Sequence, residues 1–433
     1  MNELPRQFIE NMKKQLPPSQ WEAFFAVYGK KPFKAVRLNP LKGDIERIKA
    51  LLPFLGKRVP WEENGYYTDE EKVGASPYHF AGLFYSQEPS AMSAAPLLDV
   101  QAGERVLDLC SAPGGKGTQL ACKMQGRGVI VLNEPILSRA KILSQNVERM
   151  GITNAVVTSE LPEKLAEKFV GYFDKILVDA PCSGEGMFRK NADEALAEWS
   201  EENVALCAAR QSRILEYATK MLKTGGKLVY STCTFARAED EEQVRDYLEK
   251  NPQMQLEKKE KLYPHEIDGE GHFVALFTAK NGQETRDLRA VKLAVGKEME
   301  RAYRAFEKAF FVQPFAKNLH EVNGTLYELP SGVFDWKGLQ VLRVGVRLGE
   351  VKNGRFEPNH SLALCIKKEA CKNAVDFSIK DARVEKYLRG ETVEAETENG
   401  WCIVCADGFA LGLGKAVNGT VKNHLPKALR KMK

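Results

Sequence analysis

The sequence predicts an α/β chain: an open, mostly parallel sheet with helices on both faces, preceded by a small α+β appendage and followed by a β-rich domain. Three observations predict it. Between residues 105 and 249 short β-rich runs alternate with helical stretches, the order expected when crossover helices cover a parallel sheet. Residues 1–75 mix short helical patterns, one extended stretch and frequent Pro and Gly. Beyond residue 311, short strands are separated by Gly and Asn turns.

In the appendage, apolar spacing predicts helices over 17–27 and 45–52 and an extended stretch at 35–38. In the core, strands are expected at 105–110, 128–132, 155–158, 175–178 and 227–231. Helices are expected at 116–124, 136–150, 201–222 and 239–249. The runs 255–262 and 272–278 flank the turn-rich Asp268-Gly269-Glu270-Gly271 and read as a closing strand pair. The resulting division is a small appendage at 1–75, a core domain at 76–280, a connecting helical segment at 281–310 and a β-rich domain at 311–433, whose tail from Lys422 to Lys433 is basic.

A chain of 433 residues, 43% of them hydrophobic, can bury more than one core. No apolar run approaches the ~18 residues of a membrane span, and the opening MNELPRQFIENMKKQL lacks the apolar stretch of a signal peptide, so a cytoplasmic protein is expected. Nine cysteines, an odd number, fit reduced thiols better than a disulfide framework. Cys402 and Cys405 lie in an apolar run without a second pair of ligands, so no metal is expected. Net charge is +3 over 1–75, −5 over 76–280 and +7 over 281–433, so basic flanks enclose an acidic middle, a distribution suited to a polyanionic partner.

The run Val106-Leu107-Asp108-Leu109 reads as a buried strand, and Cys110-Ser111-Ala112-Pro113-Gly114-Gly115-Lys116 as a glycine turn into a helix. Open parallel sheets bind ligands at the carboxyl ends of their strands, where glycine lets the backbone come close. The spacing is neither G-x-G-x-x-G nor a P-loop: Cys110 stands where the first P-loop glycine belongs, and Gly117 follows Lys116. The next strand ends at Asn133-Glu134, where a carboxylate can accept from ribose hydroxyls. A nucleoside site without pyrophosphate anchors suits S-adenosylmethionine (SAM).

The fourth core strand ends Val178-Asp179-Ala180-Pro181-Cys182-Ser183-Gly184, and the fifth ends Ser231-Thr232-Cys233-Thr234. Adjacent strands would bring both thiols to the edge that carries the glycine loop. C5 of cytosine is a poor nucleophile, but addition of a thiolate at C6 turns the ring into an enamine that attacks an electrophilic methyl group. A free thiol is only slightly ionised near neutrality, so such a site must favour the thiolate. Asp179 is placed to hydrogen-bond the base or the methyl donor, and the base must be unstacked to admit a thiol above its plane.

The three stretches 110–116, 179–184 and 231–234 resemble the RNA cytosine-C5 methyltransferases of the NSUN and Sun-like group. The resemblance implies a Rossmann-like SAM-dependent methyltransferase fold, Cys233 as nucleophile and Cys182 as the thiol that assists product release. Val36-Arg37-Leu38-Asn39 with Gln87-Glu88-Pro89-Ser90 is similar to the family's amino-terminal module, which implies that the appendage at 1–75 binds RNA. Gly354-Arg355-Phe356-Glu357-Pro358 and Gly408 to Gly412 through His424 are similar to the PUA-like ending of bacterial RsmF-type enzymes. That branch implies small-subunit (16S) ribosomal RNA or the small ribosomal subunit as partner, 5-methylcytosine as product and a monomeric enzyme. Transfer RNA as substrate, or a non-catalytic ribosome-assembly factor, are the alternatives. Where many relatives carry Asp after the third strand this chain has Ser159-Glu160, and Ser159 is the residue expected at the adenine; Arg237 stands where Pro is common.

Overall fold

A computed structural model describes residues 4–281 and 288–431. Positions 1–3, 282–287 and 432–433, which include the start of the expected connecting segment and the end of the basic tail, lie outside the described residues. The first three strands, β1 (Ala35–Leu38), β2 (Gly65–Tyr67) and β3 (Phe84–Ser86), form a small antiparallel sheet in the order β2-β1-β3. Only β1 was legible as an extended stretch. Because β3 completes this sheet, the amino-terminal module runs past residue 75. The opening helix Arg6–Gln15, also unforeseen, is anchored by buried Phe8 and Met12.

The core sheet contains β4 (Arg105–Asp108), β5 (Val129–Asn133), β6 (Ala155–Thr158), β7 (Phe173–Asp179), β8 (Leu222–Thr232), β9 (Met254–Leu262) and β10 (His272–Ala279). Strands β6, β5, β4, β7 and β8 run parallel in that spatial order, and β10 and β9 close one edge antiparallel. Side chains alternate between two buried faces. Leu107, Val131, Ile176 and Val178 enter one core, while Val106, Ile130, Leu132 and Leu177 enter the other. Each such fully buried aliphatic side chain stabilises the fold by about 1.5–3 kcal/mol. Strand order reverses between β4 and β7, which makes the crevice above their carboxyl ends the place where this topology binds ligands.

The carboxyl-terminal region contributes β11 (Leu319–Val322), β12 (Thr325–Glu328), β13 (Val341–Val344), β14 (Val346–Lys352), β15 (Arg355–Pro358), β16 (Ala374–Phe377), β17 (Val393–Glu394), β18 (Gly400–Ala406), β19 (Phe409–Val417) and β20 (Thr420–Asn423). Residues 311–433, expected as one β-rich domain, instead build two sheets, β11-β12-β14-β15 and β16-β18-β19-β20-β17, and lend β13 to the core sheet. There β13 pairs antiparallel with β6 and covers an edge that would otherwise expose unpaired backbone groups. The helix Lys297–Phe310 buries Tyr303, Phe306 and Phe310 against both carboxyl-terminal sheets. A further core joins Val36, Leu38 and Phe84 of the amino-terminal module to Val404, Leu411 and Val421 of the last sheet. Among the described residues no helix is long and apolar enough to cross a membrane.

Candidate active site

The glycine loop leaves β4 at Asp108 and is pinned from both sides. Leu109 N donates to Leu177 O at 3.0 Å, and Ser111 N donates to Asn133 O at 2.8 Å. Gly114 has φ +113°, a left-handed conformation that favours glycine, and starts the helix Gly115–Met124. At Gly117 a Cβ would stand 2.8 Å from an oxygen of Asp108 and 2.7 Å from Leu132, so a larger residue would force the loop open. Asn146 Nδ2 donates to Pro113 O at 2.9 Å and Arg139 Nη2 to Ala112 O at 3.1 Å, which fixes the outer half of the loop.

Asp108 is fully buried beside Ser111 Oγ and the Cys110 backbone, yet among the described residues neither of its carboxylate oxygens, nor Ser111 Oγ, makes a well-formed hydrogen bond. Burial pushes the Asp108 carboxyl up to about 7. Buried acceptors are rarely left unmet, so this pair of groups beside the glycine backbone suits a ligand that brings its own donors. At the end of β5, Glu134 is buried, accepts from Ile136 N at 3.0 Å and pairs with Arg139 at 3.3 Å. These residues fit SAM, whose ammonium and ribose supply donors and whose lack of pyrophosphate needs no loop lysine. Lys116, expected among the cofactor residues, reaches Asp179, which is itself expected at the methyl donor. Burial, then the neighbouring Asp108 and Asp179 carboxylates, hold the Cys110 thiol well above its ordinary range, so it stays protonated.

Beyond β6, Ser159 Oγ donates to Pro135 O at 3.3 Å and its N–H donates to Gln340 O at 3.0 Å. Glu160 accepts from Gln340 N at 2.6 Å and Lys164 Nζ at 2.7 Å. The loop where the third-strand departure falls is thus tied to the segment that leads into β13.

The two thiols meet. Cys182 Sγ lies 3.2 Å from Cys233 Sγ, and Cys233 N donates to Cys182 Sγ at 3.4 Å. The hydrogen bond with Cys233, then burial, keep the Cys182 thiol well above its usual range. Beside them Lys116 Nζ pairs with Asp179 Oδ2 at 2.8 Å, and Ser231 Oγ donates to Asp179 Oδ1 at 2.8 Å. Burial opposes both charges, but each partner outweighs it: Asp179 lies below and Lys116 above its ordinary value. Buried His272 stands 3.9 Å from Asp179 Oδ1, and burial followed by the Lys116 charge push its imidazole down to about 3.

Under the thiols lies a polar brace that sequence reasoning missed. Glu239 accepts from Ser183 N at 3.0 Å, from Ser183 Oγ, and from Gln211 Nε2 at 2.7 Å. Ser183 Oγ also meets Thr234 Oγ1 at 2.9 Å, and Gly186 N donates to Cys233 O at 2.9 Å. These bonds clamp the loop carrying Cys182 to the loop carrying Cys233. A second brace holds the cofactor helix: fully buried Arg37 donates to Thr118 Oγ1 at 2.7 Å, to Gly115 O at 3.2 Å and to Gln87 Oε1 at 3.1 Å. Asp108, Ser231, Gln211, Glu239 and His272 were not singled out from sequence. For Asp108 the available signal was its place inside the glycine-loop strand.

Comparison with known proteins places the chain in a family. The family model described as 16S rRNA methyltransferase RsmB/F matches residues 95–284. Models for the N-terminal domain of 16S rRNA methyltransferase RsmF, its first C-terminal domain and its PUA domain match 4–89, 305–366 and 374–431. The PUA match covers the second carboxyl-terminal sheet, while the 305–366 match holds the first. The chain is similar to ribosomal RNA small subunit methyltransferase F of Vibrio cholerae, 33% identical over 98% of this chain and 97% of that one. It is similar also to the protein of that name from Shewanella baltica, 31% identical over 100% and 98%. Among solved structures, a methyltransferase homolog from Pyrococcus horikoshii superposes with a TM-score of 0.55 at 27% identity, covering 64% of this chain and 99% of that one. NSun6 from the same organism, crystallised with SFG, shares the fold with a TM-score of 0.58 at 20% identity over 64% of this chain and 98% of that one. Matched part by part and along its whole length, the chain belongs to the RsmB/F family of rRNA methyltransferases and is a SAM-dependent RNA methyltransferase.

Proposed function

We propose that this chain methylates C5 of cytosine in 16S ribosomal RNA in the cytoplasm, through a covalent bond between Cys233 Sγ and C6 of the base. The observation that carries the reading is the 3.2 Å approach of Cys182 Sγ to Cys233 Sγ at the strand ends beside the glycine loop. Relatives named as small-subunit rRNA methyltransferases, aligned from end to end, support the choice of RNA. Nine unpaired cysteines fit a reducing compartment.

Cys233 adds to C6, forming the Sγ–C6 bond and moving electron density through the ring toward C5. The Lys116 ammonium, paired with Asp179 at 2.8 Å, places a positive charge in the same site, and positive charge beside a thiol is what this chemistry requires. Asp179, held by Lys116 and Ser231, stays ionised and accepts from the exocyclic amine, which uracil lacks. SAM, held by Asp108, Glu134 and the 110–116 loop, supplies the electrophilic methyl group when bound. Cys182 assists release, in which the C5 proton passes to water, the C5–H electron pair restores the C5–C6 double bond, and the Sγ–C6 pair leaves with Cys233 as its thiolate. The base must be flipped out to reach these groups. Mapping 5-methylcytosine in 16S rRNA from parent and gene-deletion strains tests the reading. It predicts a cytosine that loses its methyl group on deletion and regains it with the gene; identical maps would contradict it.

A further inference from the structure

We propose that His272 is a further residue of the site that touches the substrate: its imidazole N–H donates a hydrogen bond to the N3/O2 edge of the flipped cytosine as Cys233 adds to C6. The inference rests on the cytosine-C5 reading above and names a contact that the reading leaves unfilled.

Placement follows from the sheet. In the antiparallel β8–β10 pair, Phe273 faces Thr232 and Val274 faces Ser231. His272 is two residues before Val274 on β10 and so shares its side of the sheet, while Cys233 follows Thr232 directly at the end of β8. Directly opposed residues share a face, so His272 lies on the face that carries Ser231 and the Asp179 carboxylate. Its Nε2 is 3.9 Å from Asp179 Oδ1, too far for a hydrogen bond. The side chain is 1% exposed, yet neither ring nitrogen has a partner among the described residues. A phenylalanine would fill this place without leaving polar atoms unmet. His265 and His360 also lack hydrogen-bond partners, but each packs against aromatic rings, His265 with Phe24 and Tyr263 and His360 with Phe80.

Chemistry identifies the partner. When the Sγ–C6 bond forms, the C5–C6 electron pair shifts to C4–C5 and the C4–N3 pair moves onto N3, with charge shared by O2. The site needs a donor at that edge. Asp179 is an acceptor, and the Lys116 ammonium is engaged with it at 2.8 Å. Burial and Lys116 keep the imidazole uncharged, which leaves it one N–H to donate. A donor fixed in a buried site before charge develops lowers the barrier to addition.

The test compares His272→Phe and His272→Gln in the full chain with a 16S rRNA substrate. The Phe variant is expected to fold with a Tm at or above that of the parent and to bind SAM as tightly by calorimetry. Its kcat should fall about 100-fold with little change in KM for RNA. The Gln variant, which keeps an N–H donor, should recover part of that rate. In a Cys182→Ala background, the Phe change should slow formation of the covalent RNA adduct by a similar factor. A Phe variant with the parent's kcat would overturn the proposal, because a packing role predicts just that. Equal loss in the Phe and Gln variants would overturn it as well. A parent that makes no 5-methylcytosine overturns both this proposal and the reading beneath it, and so is told apart.

Discussion

Glu239→Ala removes the acceptor that joins the two cysteine loops. Glu239 is buried and takes three hydrogen bonds, from Ser183 N, Ser183 Oγ and Gln211 Nε2. Each donor left unmet in the interior costs about 1–3 kcal/mol. Burial pushes the Glu239 carboxyl above its ordinary value, so the ionised side chain already carries a desolvation cost that its removal recovers. The net loss should be about 3 kcal/mol, at the low end of three unmet donors. Ser183 follows Cys182 directly and Thr234 follows Cys233, so relaxation of the brace moves the thiols relative to each other. A displacement on the order of 1 Å at reacting groups costs about 100-fold in rate. Urea unfolding followed by tryptophan fluorescence, together with single-turnover methylation, measures both effects. Glu239→Gln, which keeps one acceptor oxygen, should fall between parent and Ala. An Ala variant with the parent's urea midpoint and rate would refute the brace.

Asp108→Asn tests the orphaned carboxylate through its proton linkage. The folded-state value of about 7 lies above the ordinary 3.8, so its contribution to apoprotein stability is fully present below about pH 4 and is lost as pH rises through about 7. The Asn variant cannot ionise. Relative to the parent it should gain stability across that window, by up to about 4 kcal/mol above pH 7, while binding SAM more weakly. Parallel stability–pH curves for the two proteins would contradict the assignment. Arg37→Ala leaves Thr118 Oγ1, Gln87 Oε1 and Gly115 O without their donor and opens a cavity under the cofactor helix. It should cost about 3–5 kcal/mol in thermal or urea unfolding and weaken SAM binding by calorimetry. Unchanged values in both assays would show that the amino-terminal module does not support the loop.

The parallel core was legible because its strands, buried on both faces, read as continuous apolar runs bounded by turn residues. The 155–158 strand was placed to the residue, and the glycine loop and both thiols were recognisable because their residue types sit at strand ends. What stayed hidden depends on distant packing. Strand β13 is four residues, Val341-Leu342-Arg343-Val344, that look like any short strand, and its partner β6 lies far back in the chain. Ser159-Glu160 read as a departure at the adenine; in the fold that loop is bonded to Gln340, just before β13. Glu239 opens the acidic run Glu239-Asp240-Glu241-Glu242, which reads as the solvated start of a helix. Only the approach of Ser183 and Gln211 turns its first carboxylate into a buried brace. His272 was read simply as the first residue of a closing strand, since nothing local says that this strand begins beside Asp179.

The central claim is that Cys233 bonds to the base and Cys182 is needed to let it go. Incubating the Cys182→Ala and Cys233→Ala variants with 16S rRNA and SAM, then resolving protein and RNA under denaturing conditions with mass analysis of the linked species, tests it most directly. The account predicts a stable protein–RNA adduct through Cys233 in the Cys182→Ala variant, and neither adduct nor methyl transfer in the Cys233→Ala variant. Full turnover by Cys233→Ala, or an adduct formed through any other residue, would contradict it.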